Sequence, residues 1–149
     1  MILSDHQILD LLAKGWLKIE PFRRECLGSN SYDVHLGSHI GRYVKNPEVK
    51  VLLPGVELPL ELDAKNPPNL ALCEIQEEGF LLRPGVLYLA ATEEYTETHG
   101  HVPWIDGKSS VGRLGIRIHA TAGRGDAGFM NHWTLEIDCV QPVRIYKGM

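Results

Sequence analysis

The first fifteen residues carry the pattern of an amphipathic helix. Ser4 and Gln7 have the S-x-x-Q spacing of a capping box, in which each side chain hydrogen-bonds to the backbone of the other residue. Gly15 is a typical C-terminal stop. Between them the apolar residues recur at helical spacing: Ile8, Leu9, Leu11 and Leu12. The pattern predicts one short N-terminal helix.

Beyond Gly15 the hydrophobic period shortens, and short apolar or alternating stretches end at turn residues. The chain has 15 glycines and 9 prolines, which favours strands and turns over long helices. Many short strands of this kind are typical of an all-β sandwich or barrel. The segment 46–69 has no clear period and is expected to be an excursion loop or a partly ordered segment. Strands are predicted over 16–20, 31–36, 80–82, 86–92, 115–120 and 133–138.

Composition supports one globular domain over residues 1–149. Hydrophobic residues make up 44% and charged residues 23% of the 149 residues. No apolar run reaches the roughly 18 residues of a membrane span, and the start lacks the basic region of a signal peptide, so a cytoplasmic location is expected. The net charge of -4 disfavours non-specific nucleic-acid binding. The three cysteines form no C-x-x-C pair, so neither a disulfide framework nor a thiolate zinc site is expected.

The segment 106–115 is rich in glycine, serine and basic residues. It superficially resembles a P-loop, but the first glycine of that motif is absent. Small residues still let backbone N–H groups approach an anion, and Lys108 and Arg113 add positive charge. If Ser109 and Ser110 begin a short helix, its N-terminus also favours phosphate. The segment is therefore either a phosphate-binding turn or a Gly-Ser turn with solvated basic residues.

A second glycine-rich loop, 121–128, lies between two predicted strands. It contains Arg124 and Asp126. One interpretation is a β-turn with an exposed ion pair, which contributes little to stability. The other is a rigid loop that presents backbone groups and Asp126 to a sugar hydroxyl.

The strand 133–138 separates apolar from polar residues. Trp133, Leu135 and Ile137 share one face, which places Glu136 among the polar residues on the other. On an open face Glu136 would be a solvated carboxylate. In a cleft, partial desolvation raises the pKa of a glutamate and lets it transfer protons near neutral pH.

The histidines do not predict a metal site. His99 and His101 form H-x-H, and His35 and His39 are four residues apart. Neither pair has a third ligand at a recognisable spacing, so we expect no structural or catalytic metal. His119, on a predicted strand, is expected to be a packed, hydrogen-bonded core residue.

Four ordered motifs resemble the dCTP deaminases of the dUTPase superfamily. They are 107–115, 119–122, 126–129 and 134–136. The start of the chain, 1–5, and the segment 28–37 fit the same family. The resemblance therefore spans nearly the whole chain except 46–69.

This resemblance implies a fold, an assembly and a reaction. The fold would be a distorted β jelly roll, the β-clip barrel of dUTPases, with a short N-terminal helix. The assembly would be a homotrimer with active sites between subunits. The reaction would be hydrolytic deamination of dCTP to dUTP and ammonia, with Mg²⁺ on the triphosphate, with dTTP as an inhibitor and without zinc. The H-x-E and P-C-x-x-C motifs of zinc-dependent deaminases are indeed absent.

The resemblance also implies catalytic roles. Glu136 would take a proton from water as its oxygen attacks C4 of cytosine, and would deliver protons to the ring nitrogen and the leaving amine. Ser109 and the backbone carbonyl of Ala122 would orient that water. Arg113 would lie close to Ser109.

Other residues would bind the nucleotide. The triphosphate would be held by the serine-rich turn, whose binding residues are Lys108, Ser109, Ser110, Val111, Gly112 and Arg113. Asp126 would accept a hydrogen bond from the 3′-hydroxyl, and Arg124 would steady the loop near Glu136. Thr134 and Leu135 would present backbone groups to the pyrimidine.

The sequence departs from the family pattern in three places. Ala127 stands where proline is usual, and Asn131 stands where a glycine is expected. The sequence ends at Met149, where the family continues into a strand and a tail that closes over the nucleotide. We therefore expect either a truncated chain or a relative without the tail.

Three alternatives stay open beside the deaminase. The first is a dUTPase, or a bifunctional enzyme that also releases diphosphate; Glu136 favours deamination but does not exclude the bifunctional case. The second is a non-catalytic nucleotide-binding relative. The third is a β interaction module, which would leave the four motifs unexplained.

Overall fold

The fold is mainly β and antiparallel, as predicted. The computed structural model describes residues 2–44, 62–119 and 121–149. The helices are α1 (Asp5–Ala13) and α2 (Ser109–Gly112), and a 3-10 turn covers Arg24–Cys26. The strands are β1 (Leu17–Glu20), β2 (Leu36–Val44), β3 (Asn69–Glu74), β4 (Phe80–Leu82), β5 (Tyr88–Thr98), β6 (Ile116–Ile118), β7 (Met130–Cys139) and β8 (Val143–Ile145).

Helix α1 begins with the predicted capping box. The Gln7 backbone N donates to Ser4 Oγ at 3.4 Å, and the Ser4 backbone N donates to Gln7 Oε1 at 2.9 Å. Ile8 is buried, and Gly15 follows the helix with a φ of 70°, which only glycine adopts without strain. The longest helix within the described ranges, α1, has nine residues, far from the roughly 20 that cross a bilayer.

Strand β5 is the centre of a six-stranded sheet. The sheet has the order β3-β2-β5-β7-β6, and β1 also pairs with β5. All of these pairs are antiparallel. Strands β4 and β8 form a separate two-stranded sheet. Because β5 has partners along its full length, it positions both β2 and β7.

The core lies between the two sheets. On β7 the predicted apolar face is confirmed, since Trp133, Leu135 and Ile137 are all buried. Phe129 stacks on Trp133 with ring centroids 4.3 Å apart. Other members of the same cluster include Leu36, Ile40, Ile75, Leu82, Val86, Tyr88, Ile105, Ile116 and Ile145.

Two predictions about the strands are wrong in part. The predicted strand 31–36 is an irregular segment, with one isolated bridge between Tyr32 and Leu27, and β2 begins only at Leu36. Here backbone donors bond outside a ladder: Asp33 N to the Cys26 carbonyl, and His35 N to a side chain of β5.

The second difference is the length of β5, which continues to Thr98 although the apolar run ends at residue 92. Its last buried positions are polar, namely Thr92, Glu94, Thr96 and Thr98, so hydrophobicity did not mark them. The predicted loop 46–69 lies mostly outside the described residues, and its end, 62–68, leads into β3.

Two leucines test whether the core lies where the fold places it. Leu82 is fully buried, whereas Leu87 is 45% exposed. Leu82→Ala should lower the free energy of unfolding by about 2–5 kcal/mol, because it leaves a cavity. Leu87→Ala is the matched control and should change it by about 0.5 kcal/mol or less. Urea unfolding measures both, and equal losses would contradict the proposed core.

Candidate active site

The serine-rich turn forms the short helix α2, one of the two interpretations that the sequence left open. Lys108 caps it, and its carbonyl accepts the backbone N–H groups of Val111 at 3.0 Å and Gly112 at 2.9 Å. Ser109 and Ser110 are exposed, whereas Val111 packs against the core. The turn is therefore anchored by one side chain and presents its polar groups outward.

Lys108 is held by a carboxylate from a distant part of the chain. Its Nζ lies 2.5 Å from Asp33 Oδ2. The hydrogen bond and the charge of Asp33 raise the pKa of the Lys108 amine, so this lysine is charged at neutral pH. Asp33 was not among the predicted site residues. The available signal was its position inside 28–37, one of the segments that resemble the family.

Arg113 ends α2. Its backbone N donates to the Ser109 carbonyl at 3.1 Å. The guanidinium is exposed and has no ion pair with the described residues. It is thus available to an anion.

The loop 121–128 is fixed by backbone contacts with the strand-like segment before α2. Gly123 O accepts from Ile105 N at 2.7 Å, and Gly125 N donates to Pro103 O at 2.9 Å. A Cβ on Gly123 would lie 2.4 Å from the Ile105 carbonyl oxygen, so only glycine fits there. Segment 121–128 is therefore held rigidly next to the chain that leads into α2.

The predicted site residues of this loop point outward. Ala122, Arg124 and Asp126 are exposed, and the Asp126 carbonyl closes a turn by accepting from Phe129 N at 3.1 Å. No ion pair links Arg124 with Asp126 within the described ranges. Of the β-turn with an exposed ion pair that the sequence suggested, the structure has the turn but not the ion pair.

Glu136 lies half-buried on the polar face of β7, opposite Leu89 of β5. Thr121 Oγ1 donates to its Oε2 at 3.4 Å. Asp138, on the same face, is already paired with Arg117, whose Nε lies 2.8 Å from Asp138 Oδ1. Glu136 has no such cation among the described residues, so its carboxylate is free to act on a proton.

The sequence also predicts a binding role for two neighbours of Glu136 on β7. Thr134 is exposed and pairs with Ala91. The Leu135 side chain is buried in the core, which leaves its backbone as the part that a ligand could contact.

His119 differs from its prediction. Its backbone N donates to the Glu136 carbonyl at 2.8 Å, and its φ is 60°. The residue is half-buried, and its buried Nδ1 has no hydrogen-bond partner in the part of the chain that the structure describes. The expectation of a hydrogen-bonded core ring is wrong, because the left-handed backbone turns the residue out of the β6 ladder.

A cleft of about 1290 Å³ lies between the N-terminal segment and the sheet. Its walls are mainly apolar, and it includes Lys108 and Val111 of the predicted site. Glu136, Ser109 and Arg113 do not line it. One subunit therefore brings the predicted residues to its surface without enclosing them in this cleft.

The histidine pairs are engaged in ordinary contacts. His99 Nε2 lies 3.4 Å from Glu97 Oε2, and His39 Nδ1 lies 2.9 Å from Ser38 Oγ. His35 lies beside two carboxylates of β5, and the Arg23 guanidinium sits between them. This group contains none of the predicted site residues.

Comparison with known proteins identifies the family. The model of the dCTP deaminase-like family matches residues 2–149. The chain belongs to this family. A relative from Clostridium acetobutylicum, named dCTP deaminase, dUMP-forming, is 46% identical over 149 residues, which is all of this chain and 78% of that one. A relative of the same name from Cytophaga hutchinsonii is 44% identical over the same shares.

The fold comparison agrees. The crystal structure of 2′-deoxycytidine 5′-triphosphate deaminase from Agrobacterium tumefaciens superposes with a TM-score of 0.67 at 24% identity, over 99% of this chain and 44% of that one. The predicted fold, the family and the conclusion that the chain is an enzyme are confirmed. The expected product, dUTP, differs from that in the relatives' name, dUMP.

Proposed function

We propose that the chain converts dCTP and two waters to dUMP, ammonia and diphosphate. The first water would replace the amino group at C4, and the second would cleave the bond between the α- and β-phosphates. The observation that carries this proposal is the identity of 42–46% over the full chain to relatives named dUMP-forming. The proposal replaces dUTP as the released product and keeps dCTP as the substrate.

The deamination step would be carried by Glu136. Its carboxylate takes a proton from water as the oxygen bonds to C4, and returns protons to ring N3 and to the departing amino group, which leaves as ammonia. Its half-buried position and its lack of a cation partner among the described residues support this role, because no lysine or arginine occupies the carboxylate. Ser109 and the Ala122 carbonyl would hold the water.

The serine-rich turn would hold the triphosphate. Lys108 and Arg113 supply positive charge, and Ser110 and the backbone of α2 supply donors. Mg²⁺ would enter as part of the substrate, bound to the phosphates, and dTTP would compete for the same turn. Asp126 would accept the 3′-hydroxyl, and the backbone of Thr134 and Leu135 would face the pyrimidine.

The complete site would need a second copy of the chain, in a homotrimer. Ser109, Arg113 and Asp126 are exposed in one subunit, and Glu136 is only half-buried. A shallow groove next to Thr134 is lined by Leu70, Leu72, Leu89 and Ala91. Covering this surface would exclude water and strengthen charge interactions at Glu136. We propose that the serine-rich turn of a neighbouring copy faces Glu136.

Replacing the proposed base tests the reaction. Glu136→Gln should slow ammonia release from dCTP by about 10³-fold, because the amide cannot take a proton, while dCTP binding stays within about twofold. Asp138→Asn, on the same face of β7, is the matched control and should remain active. Ammonia and diphosphate are followed in parallel with calorimetric binding.

Each outcome of that assay decides between functions. Wild-type protein should release both ammonia and diphosphate. Ammonia alone would support a deaminase that stops at dUTP, and tight binding without either product would support a non-catalytic relative. Retained deamination in Glu136→Gln would remove Glu136 as the base.

Mixing two inactive variants tests the shared site. Glu136→Gln and Arg113→Ala are co-expressed, so that mixed trimers form. If Glu136 and Arg113 of one site come from different copies, about a quarter of the sites regain both residues. Activity should therefore recover to that level. No recovery in trimers that native mass spectrometry shows to be mixed would place the site within one chain.

A further inference from the structure

Glu94 is a charged residue in the interior of the subunit. Its side chain is fully buried, at a position of β5 where the neighbouring inward residues are Thr92 and Thr96. An isolated buried carboxylate is strongly unfavourable, so its partners show what it does.

Those partners hold the irregular segment before β2. Arg23 Nη1 donates to Glu94 Oε1 at 2.9 Å. His35 contacts both carboxylate oxygens: its backbone N donates to Oε2 at 2.7 Å, and its ring Nδ1 lies 2.5 Å from Oε1. The His35 carbonyl also accepts from Glu93 N at 2.8 Å. His35 is thereby fixed by its backbone and by its ring.

The fixed segment leads directly to the serine-rich turn. Asp33 lies two residues before His35, and its backbone N donates to the Cys26 carbonyl at 2.9 Å. Its carboxylate holds Lys108 Nζ at 2.5 Å, and Lys108 caps α2. Two contacts therefore lie on one short segment: Glu94 holds His35, and Asp33, two residues earlier in the chain, holds Lys108.

We propose that Glu94 is a positioning residue for triphosphate binding, acting through His35 and Asp33 on Lys108. The inference rests on the proposed function of the turn. Since Lys108 would contact a part of the substrate that does not change during deamination, its misplacement weakens ground state and transition state alike. The signature is a raised KM for deamination with little change in kcat.

The first test compares neighbouring glutamates. Glu94→Gln keeps the shape but removes the charge, and should raise the KM for dCTP in ammonia release by about tenfold, with kcat within about twofold. Glu93→Gln is the matched control: Glu93 is 40% exposed and contacts Arg23, so the KM should stay within about twofold. A lowered kcat at unchanged KM for Glu94→Gln would overturn the proposal.

A second readout does not depend on activity. The contact with Asp33 raises the pKa of the Lys108 amine. In Glu94→Gln the Lys108 pKa should fall toward its ordinary value, and in Glu93→Gln it should stay raised, as followed by NMR titration of labelled lysine side chains. An unchanged Lys108 pKa in Glu94→Gln would overturn the proposed coupling even if the protein did not deaminate dCTP. Inactive wild-type protein would instead overturn the proposed function.

Two further variants protect the test against a folding defect. His35→Leu removes the ring contact with Glu94 but keeps the backbone contact and the Arg23 pair, and Asp33→Asn removes the charge that holds Lys108 at the surface. Both should reproduce the lowered Lys108 pKa and the raised KM. In a Lys108→Met background, Glu94→Gln should add less than about twofold to the KM, because both changes act on one contact. Additive effects on the KM would show that Glu94 does not act through Lys108 and would overturn the proposal.

Discussion

The pairing of β5 with β7 is the interaction on which the rest of the structure depends. Strand β5 also pairs with β1 and β2, so it sets the position of most of the sheet. The β5–β7 register is interrupted between Ala91 and Tyr95. At this point Thr92 Oγ1 accepts from Trp133 N at 2.9 Å, which replaces the missing ladder bond. Trp133 and Leu135 then face the core, and Glu136 faces outward.

This arrangement separates the hydrophobic core from the proposed reactive groups. The inward positions of β7 are filled with large apolar side chains, so the reactive groups can lie only on the outer face and in the loops beside it. One subunit therefore carries the half-buried Glu136, the exposed loop 121–128 and the exposed α2 at separate places. In the proposed homotrimer a second copy would bring them around one substrate, and burial of the apolar groove next to Thr134 would favour that association.

Local rules predicted the parts of the fold whose partners lie close in sequence. The capping box of α1 and the two faces of β7 follow from spacing alone, whereas the short helix at Ser109 was one of two open interpretations. The segment 31–36 did not follow from spacing, because its alternation is typical of a strand but its donors bond outside a ladder, Asp33 N to the Cys26 carbonyl and His35 N to the Glu94 side chain. His35 reaches a carboxylate 59 residues away, and a one-dimensional pattern contains no sign of that contact.

The candidate site was predictable to a similar extent. The motifs identified its residues because they form one ordered series, and the structure adds what spacing cannot show. Asp33 contacts Lys108, which lies 75 residues further along the chain. Glu94 is one of several acids in 93–97, and only its burial distinguishes it from the others. Because the last inward positions of β5 are polar, hydrophobicity did not predict the length of the strand. In each case tertiary contacts determine the role of a residue.

We propose that Glu136 and the serine-rich turn of a neighbouring copy act on one water molecule. A crystal structure with Mg²⁺ and a dCTP analogue that resists hydrolysis tests it most directly. We expect a water about 2.6–3.2 Å from both the Glu136 carboxylate and a Ser109 hydroxyl of the adjacent subunit, next to C4 of the cytosine. A Glu136 side chain facing bulk solvent in every copy, remote from any serine-rich turn, would contradict it.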